Sequence, residues 1–268
     1  MNVNSKGAGM KKILSAVIIL SIVCMAGNVL AKDWKKIRVG VEGAYPPFSF
    51  VKPDGSLDGF DIEIAKALVK ATGAEIVMVA QDWDGMIPAL LAKKYDCIVA
   101  SMSMTEERKK KIAFTNKYYQ APAKFVAKKG AFTDLSKAAL KGKKIGVQRS
   151  STHDKYLTDN YGKDVIVKRY SSQDNVYLDM TAGRLDMFIS NAVSTSDGFL
   201  KKPEGKDYEF VGPDLTDPRW YGEGVGIALR KQDAALAEKL NAAIVKIRED
   251  GTYKKIQDKY FDFNIYGN

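Results

Sequence analysis

The feature that most constrains the fold is an alternation of short β-rich runs and amphipathic helical stretches that occurs twice along the chain. Residues 37–41 form a compact β-rich run, and residues 45–50 are extended because Pro46 and Pro47 bias their predecessors away from the helical region. Asp54-Gly55 is a turn signal. Phe60, Ile64, Ala67, Leu68 and Ala71 recur at helical spacing and stop at Gly73, which suits a helix end. Residues 74–79 then read as strand, 84–93 as helix with Pro88 in its first turns, and 96–101 as strand. The order returns as strand 144–147, helix 152–159, strand 165–167, helix 172–182 closed by Gly183, and strand 186–190. Strands separated by helices need crossover connections, so parallel pairing is expected in each unit. No strict sequence period links the two units, so the recurrence is one of architecture.

Two stretches, residues 118–126 and 222–229, read as extended connectors, the second leading into a long helix over 234–249. Two units joined by two such passages would leave a cleft between them, the kind of place where small ligands bind.

Met10-Lys11-Lys12 and the apolar run from Ile13 to Val23 have the basic start and hydrophobic core of a secretory signal, and Val29-Leu30-Ala31 places small residues at cleavage-site offsets. Cleavage is expected after Ala31, with Met10 as the functional start. The uncharged run is near the lower length limit for a permanent anchor, and Val23 disfavours lipid attachment at Cys24. Of 42 basic residues, three lysines leave with the leader, so the mature chain carries 39 against 32 acidic groups, a charge of +7. Its basic residues are scattered without interleaved aromatics, which argues against nucleic acid as a partner. Cys97, in an apolar run, is expected to be a buried small hydrophobe with no partner for an internal disulfide. One histidine and one mature cysteine provide no metal-ligand spacing, and no cofactor is expected.

Several segments carry a resemblance: Glu42-Gly-Ala-Tyr-Pro-Pro-Phe48, Gly59-Phe-Asp-Ile62, Trp83-Asp-Gly-Met-Ile-Pro-Ala89, Ser101-Met-Ser-Met-Thr-Glu-Glu-Arg108, Ser151-Thr-His153, Gly183-Arg-Leu-Asp186, Asp250-Gly-Thr-Tyr253 and Tyr260-Phe261. In this order they resemble periplasmic polar amino acid binding proteins of ABC importers, solute-binding protein family 3, and most of all the histidine and lysine/arginine/ornithine group. The resemblance spans essentially residues 32–268. It implies an α/β, two-lobed periplasmic binding protein fold of type II, each lobe a mostly parallel sheet flanked by helices. Residues 32–119 and 224–268 would form one lobe, 123–216 the other, and 120–122 and 217–223 the hinge crossings. It also implies a monomer that closes on an amino acid and is read by an inner-membrane ABC permease with its ATPase.

The resemblance assigns ligand-binding roles to twelve positions. Arg108 would grip the α-carboxylate, for which a planar guanidinium fork is suited. Ser103 and Thr152 would help hold that carboxylate from opposite lobes, with backbone donors near Met102 and Ser103 and at the helix start around Ser151. The Ser101 carbonyl would accept from the ligand ammonium. Tyr45 and Trp83 would sandwich the side chain; Tyr45 before Pro-Pro and Trp83 in a polar loop are poor core candidates. Glu42 would meet a cationic group, with Gln148 also at the cleft and His153 there beside Thr152. Asn191 stands where the family usually has the acid that pairs with the α-ammonium, Ala100 replaces a family serine, and His153 replaces a glutamine. A neutral amide at 191 fits a weaker amine contact or a substituted amine, as in opines. A dehydratase of the same fold is the enzymatic rival, with Glu42 and His153 as its only tempting pair.

Overall fold

The structure, a computed structural model, describes residues 34–267. The expected leader, its cleavage after Ala31, and Met10 and Cys24 lie outside the described residues. In chain order the strands are β1 (Lys36–Val41), β2 (Ala44–Tyr45), β3 (Ser49–Val51), β4 (Leu57–Asp58), β5 (Glu75–Ala80), β6 (Cys97–Ile98), β7 (Ala113–Tyr119), β8 (Ala123–Lys128), β9 (Lys144–Gln148), β10 (Ile166–Tyr170), β11 (Met187–Asn191), β12 (Tyr208–Leu215) and β13 (Val225–Leu229). β2, β3 and β4 make a small antiparallel sheet. The others build two five-stranded sheets, ordered β5-β1-β6-β13-β7 and β10-β9-β11-β8-β12.

Each sheet contains the parallel trio that the βαβ alternation predicts, β5-β1-β6 and β10-β9-β11. Each also gains two antiparallel pairings, β6-β13-β7 in one and β11-β8-β12 in the other, so both sheets are mixed rather than mostly parallel. The cause is the way the chain changes lobes. β7 runs into β8 through residues 120–122, and β12 runs into β13 through residues 216–224, so all four antiparallel strands flank a crossing. Such a strand enters or leaves a sheet without a crossover helix, and nothing forces it to run parallel to its neighbour.

Elsewhere the boundaries move. The strand expected over 96–101 shortens to Cys97–Ile98, the Val99 N–H still donating to the Gly40 carbonyl at 3.0 Å, and beyond it Ala100, Ser101 and Ser103 reach the gap between the lobes. The helix expected over 84–93 starts as a 3-10 turn, Trp83–Gly85, before the α-helix Met86–Leu91. Buried faces form separate cores, one under β6 with Met86, Leu90, Tyr95, Ile98 and Met102, others on the faces of the second sheet. Cys97 is 1% exposed. Among the described residues no helix is long and apolar enough to cross a membrane.

Gly222, in the second crossing, has φ 69°, and a Cβ there would press on the Met104 carbonyl oxygen. Gly222→Ala is therefore expected to destabilise the fold by about 1–3 kcal/mol, lowering Tm by roughly 2–12 °C in a thermal melt.

The interlobe cleft as candidate functional site

A cavity of about 370 Å³ lies between the two sheets. It is lined where strands end and helices begin, the usual ligand position in open α/β sheets. Glu42 follows β1, Ala100 and Ser101 follow β6, Gln148 ends β9, and Asn191 ends β11. All the candidate residues line this cavity except Met102.

One end is basic. Arg108 lies in the short helix Glu106–Lys109, whose N-terminus is capped by Thr105 accepting from the Arg108 N–H at 3.3 Å. Its Nη1 donates to the Ser103 carbonyl at 3.0 Å, and its guanidinium lies 5.2 Å from the Trp83 ring centroid. Burial pulls its pKa down to about 10, which leaves it charged at neutral pH. Facing it are Thr152 and His153, in the first turn of the helix Thr152–Tyr161. Ser151 caps that helix, accepting from the Asp154 N–H at 3.0 Å while donating to the Gln148 carbonyl at 2.7 Å. Its hydroxyl is thus engaged in holding the loop. His153 is held neutral, its pKa pushed down to about 3 by burial and by Arg108, and its buried Nδ1 has no protein partner.

The other end is acidic. Gln148 Nε2 donates to Glu42 Oε1 at 2.6 Å, a bond between the two lobes. Burial raises the Glu42 pKa to about 7, the Gln148 bond opposes the shift, and the charges of Asp174, Asp61 and Asp82 add to it. None of the leading influences on this carboxylate is a cation. Tyr45 is 8% exposed and stacks on Phe48 at 5.9 Å, so the expectation that it stands outside the core is corrected: one ring serves both core and cavity wall. Trp83 is half-buried against the core under β6.

Met102 is the clear correction. Its side chain is 1% exposed in that core, and its carbonyl accepts from the Gly226 N–H at 3.2 Å. The cleft is lined here by Ser101 and Ser103 and not by Met102. Ser101 itself has φ 53°, a left-handed conformation costing a non-glycine residue about 1–3 kcal/mol. Asn191 Oδ1 accepts from the Val193 and Ser194 N–H groups at 2.9 and 3.1 Å, capping the helix Ala192–Thr195. The acceptor is spent on the backbone, so the amide NH2 is what this side chain has left to offer a ligand. Sequence reasoning missed Gln120, Thr216, Tyr221 and Glu223, which line the cavity from the crossings. Tyr221 lies 5.7 Å from the His153 ring and has a buried hydroxyl without a protein partner. Among the described residues no three His, Cys, Asp or Glu side chains converge as a metal site requires.

The lobes touch across the cleft mouth. Arg149 pairs with Asp84 at 2.5 Å, Lys155 with Glu107 at 3.9 Å, and Ser194 Oγ donates to the Pro46 carbonyl at 2.8 Å. With the Glu42–Gln148 bond they describe a closed arrangement.

Known proteins resemble this chain over nearly its whole length. The model of the bacterial extracellular solute-binding proteins, family 3, matches residues 37–263. The chain is 50% identical over 261 residues to the L-arginine-binding protein of Pseudomonas aeruginosa, covering 97% of this chain and 100% of that one. It is 40% identical over 260 residues to the lysine/arginine/ornithine-binding periplasmic protein of Escherichia coli, covering 97% and 100%. Among solved structures, a Salmonella typhimurium periplasmic binding protein described for high arginine specificity superposes with a TM-score of 0.78 at 34% identity, covering 85% of this chain and 99% of that one. These relatives are binding proteins rather than enzymes, and by sequence and by fold this chain belongs to the bacterial extracellular solute-binding proteins of family 3.

Proposed function

We propose that the chain is a periplasmic receptor that closes on a cationic L-α-amino acid, arginine foremost, and presents it to an inner-membrane ABC permease and its ATPase. The observation that carries this reading is the polarity of one cavity: a charged Arg108 at one end and, at the other, a half-buried Glu42 with no cation among the leading influences on it from the described residues. An α-amino acid with a positively charged side chain supplies the opposite charge at each pole. Tyr45 and Trp83 also line the cavity, Trp83 beside Arg108, and aromatic faces favour a guanidinium or ammonium. Ser103 and Thr152 stand beside Arg108 as further carboxylate contacts, and the receptor works as a monomer. Closure then follows from ligand contacts made by both lobes at once. No chemical step is assigned, because His153 is held neutral and stands at the basic pole, away from Glu42 at the acidic one.

Calorimetry against arginine, lysine, ornithine, histidine, glutamine and octopine tests the reading. Tight binding of a basic amino acid is expected, and failure of all three basic ligands would reject it. A pH dependence follows from Glu42. When a neutral ligand is enclosed, Glu42 takes on its raised pKa of about 7 against an ordinary 4.5, so closure takes up a proton. Affinity for glutamine should therefore fall as pH rises from 5 to 7, while arginine, which keeps Glu42 ionised, should hold its affinity. The arginine-to-glutamine ratio should grow on the order of tenfold or more over that window; a constant ratio would count against the assignment.

A second reading is favoured by Asn191. With Oδ1 committed to the helix cap, the remaining NH2 repels an ammonium and suits an acceptor, so a ligand whose α-nitrogen carries a carboxylate-bearing substituent, as in opines, fits this wall better. Octopine binding more tightly than arginine would select it.

A further inference from the structure

Asp61, the second residue of the helix Phe60–Ala71, lies behind the cleft and is fully buried. Its Oδ2 accepts from Ser101 Oγ at 2.8 Å and its Oδ1 from Tyr118 Oη at 2.8 Å. Tyr118 Oη in turn accepts from the Ser101 N–H at 3.2 Å, which closes a ring of three residues. The ring grips Ser101 from the core side and fixes its left-handed backbone. With N–H and hydroxyl both committed, the carbonyl oxygen is the polar group Ser101 has left for the cavity it lines. Burial lifts the Asp61 pKa to about 7, opposed by the bonds from Ser101 and Tyr118, and no cation acts on it among the described residues, so a ligand ammonium nearby is what would hold it ionised; its charge is also one of those acting on Glu42.

We infer that Asp61 is a positioning residue for ligand recognition: it locks Ser101 so that the Ser101 carbonyl meets the ligand's α-ammonium, and its carboxylate supplies that end of the cleft with the negative charge that Asn191 lacks. The inference rests on the reading that an α-amino acid occupies the cleft. Asn191 presents an amide NH2 where an acid would pair with the ammonium, so favourable charge has to come from behind the cleft surface. A carboxylate one hydrogen bond behind a cleft-lining residue, with no cation of its own, meets that need, because a buried charge acts over several ångströms with little screening.

The test compares L-arginine with its des-amino analogue, 5-guanidinopentanoic acid, by calorimetry or competition. The two differ only in the group that Asp61 is inferred to serve. In Asp61→Asn, which keeps the shape and removes the charge, arginine should bind about tenfold or more weakly while the analogue stays within about twofold, so the preference for the amine collapses. Equal losses for both ligands, or no loss for either, would overturn the inference, because a purely structural residue would not separate them. Should Asp61→Asn fail to fold, Ser101→Ala cuts the same latch at the cleft surface, and an unchanged ratio there is equally fatal. If the unaltered protein binds no arginine at all, the functional reading itself is what fails.

Discussion

Arg108→Ala is expected to abolish binding of every α-amino acid that the unaltered protein takes. The guanidinium is buried at the basic pole, anchored through Nη1 to the Ser103 carbonyl and packed over Trp83, so the rest of its fork is oriented for a carboxylate before any ligand arrives. Removing one partner of a desolvated charge pair costs about 2–5 kcal/mol or more, and the ligand carboxylate would then be enclosed with only neutral donors around it. Affinity should drop by roughly two to three powers of ten, equally for cationic and neutral ligands, because the carboxylate is common to all of them. Arg108→Lys should recover part of the loss, since an ammonium keeps the charge but not the bidentate geometry. Isothermal titration with arginine and glutamine measures both, and retention of affinity within threefold in the alanine variant would remove Arg108 from this role.

Glu42→Gln should act on one class of ligand only. Glu42 is half-buried at the acidic pole, its pKa lifted to about 7 by desolvation, with the charges of Asp174, Asp61 and Asp82 adding to the shift. A cationic side chain would offset that desolvation, so losing the carboxylate should weaken arginine by about 2–3 kcal/mol, roughly 30- to 150-fold. A neutral ligand gains instead, because closure no longer buries an acid that must be protonated. Glutamine should bind at least as well as before, and the pH dependence of the arginine-to-glutamine ratio should vanish with the same substitution. Parallel losses for both ligands would show that Glu42 shapes the cleft without reading charge.

How much of this was legible in the sequence differs from residue to residue. The parallel trios follow from the apolar runs at 37–41 and 144–147 and the periodic helices between strands, because local hydrophobic spacing specifies local structure. The antiparallel strands on either side of the crossings were not legible as such: residues 118–126 and 222–229 read as extended, but extension carries no pairing partner. Most of the cleft residues were reached through the family resemblance, since local spacing gives them no role. Gln120, Thr216, Tyr221 and Glu223 were not, since they join the cavity only through tertiary placement of the crossings. Met102 could not be excluded from the pattern, because the left-handed turn at Ser101, which decides which groups of residues 101–103 face the cavity, leaves no mark in the spacing. Asp61 also left a trace, a carboxylate on the helical face that buries Ile64, Ala65 and Leu68, which marks a polar group needing partners in the core.

The contacts that hold the halves shut include Arg149–Asp84 and Lys155–Glu107, with side chains that are largely wet, and Ser194 reaching the Pro46 carbonyl. Exposed ion pairs of this kind are worth about 1 kcal/mol or less apiece. An empty jaw is therefore poorly latched, and the cargo itself has to tip the balance. A weak latch also means that the rims add little to the cost of unloading, which is set by the grip on the cargo itself.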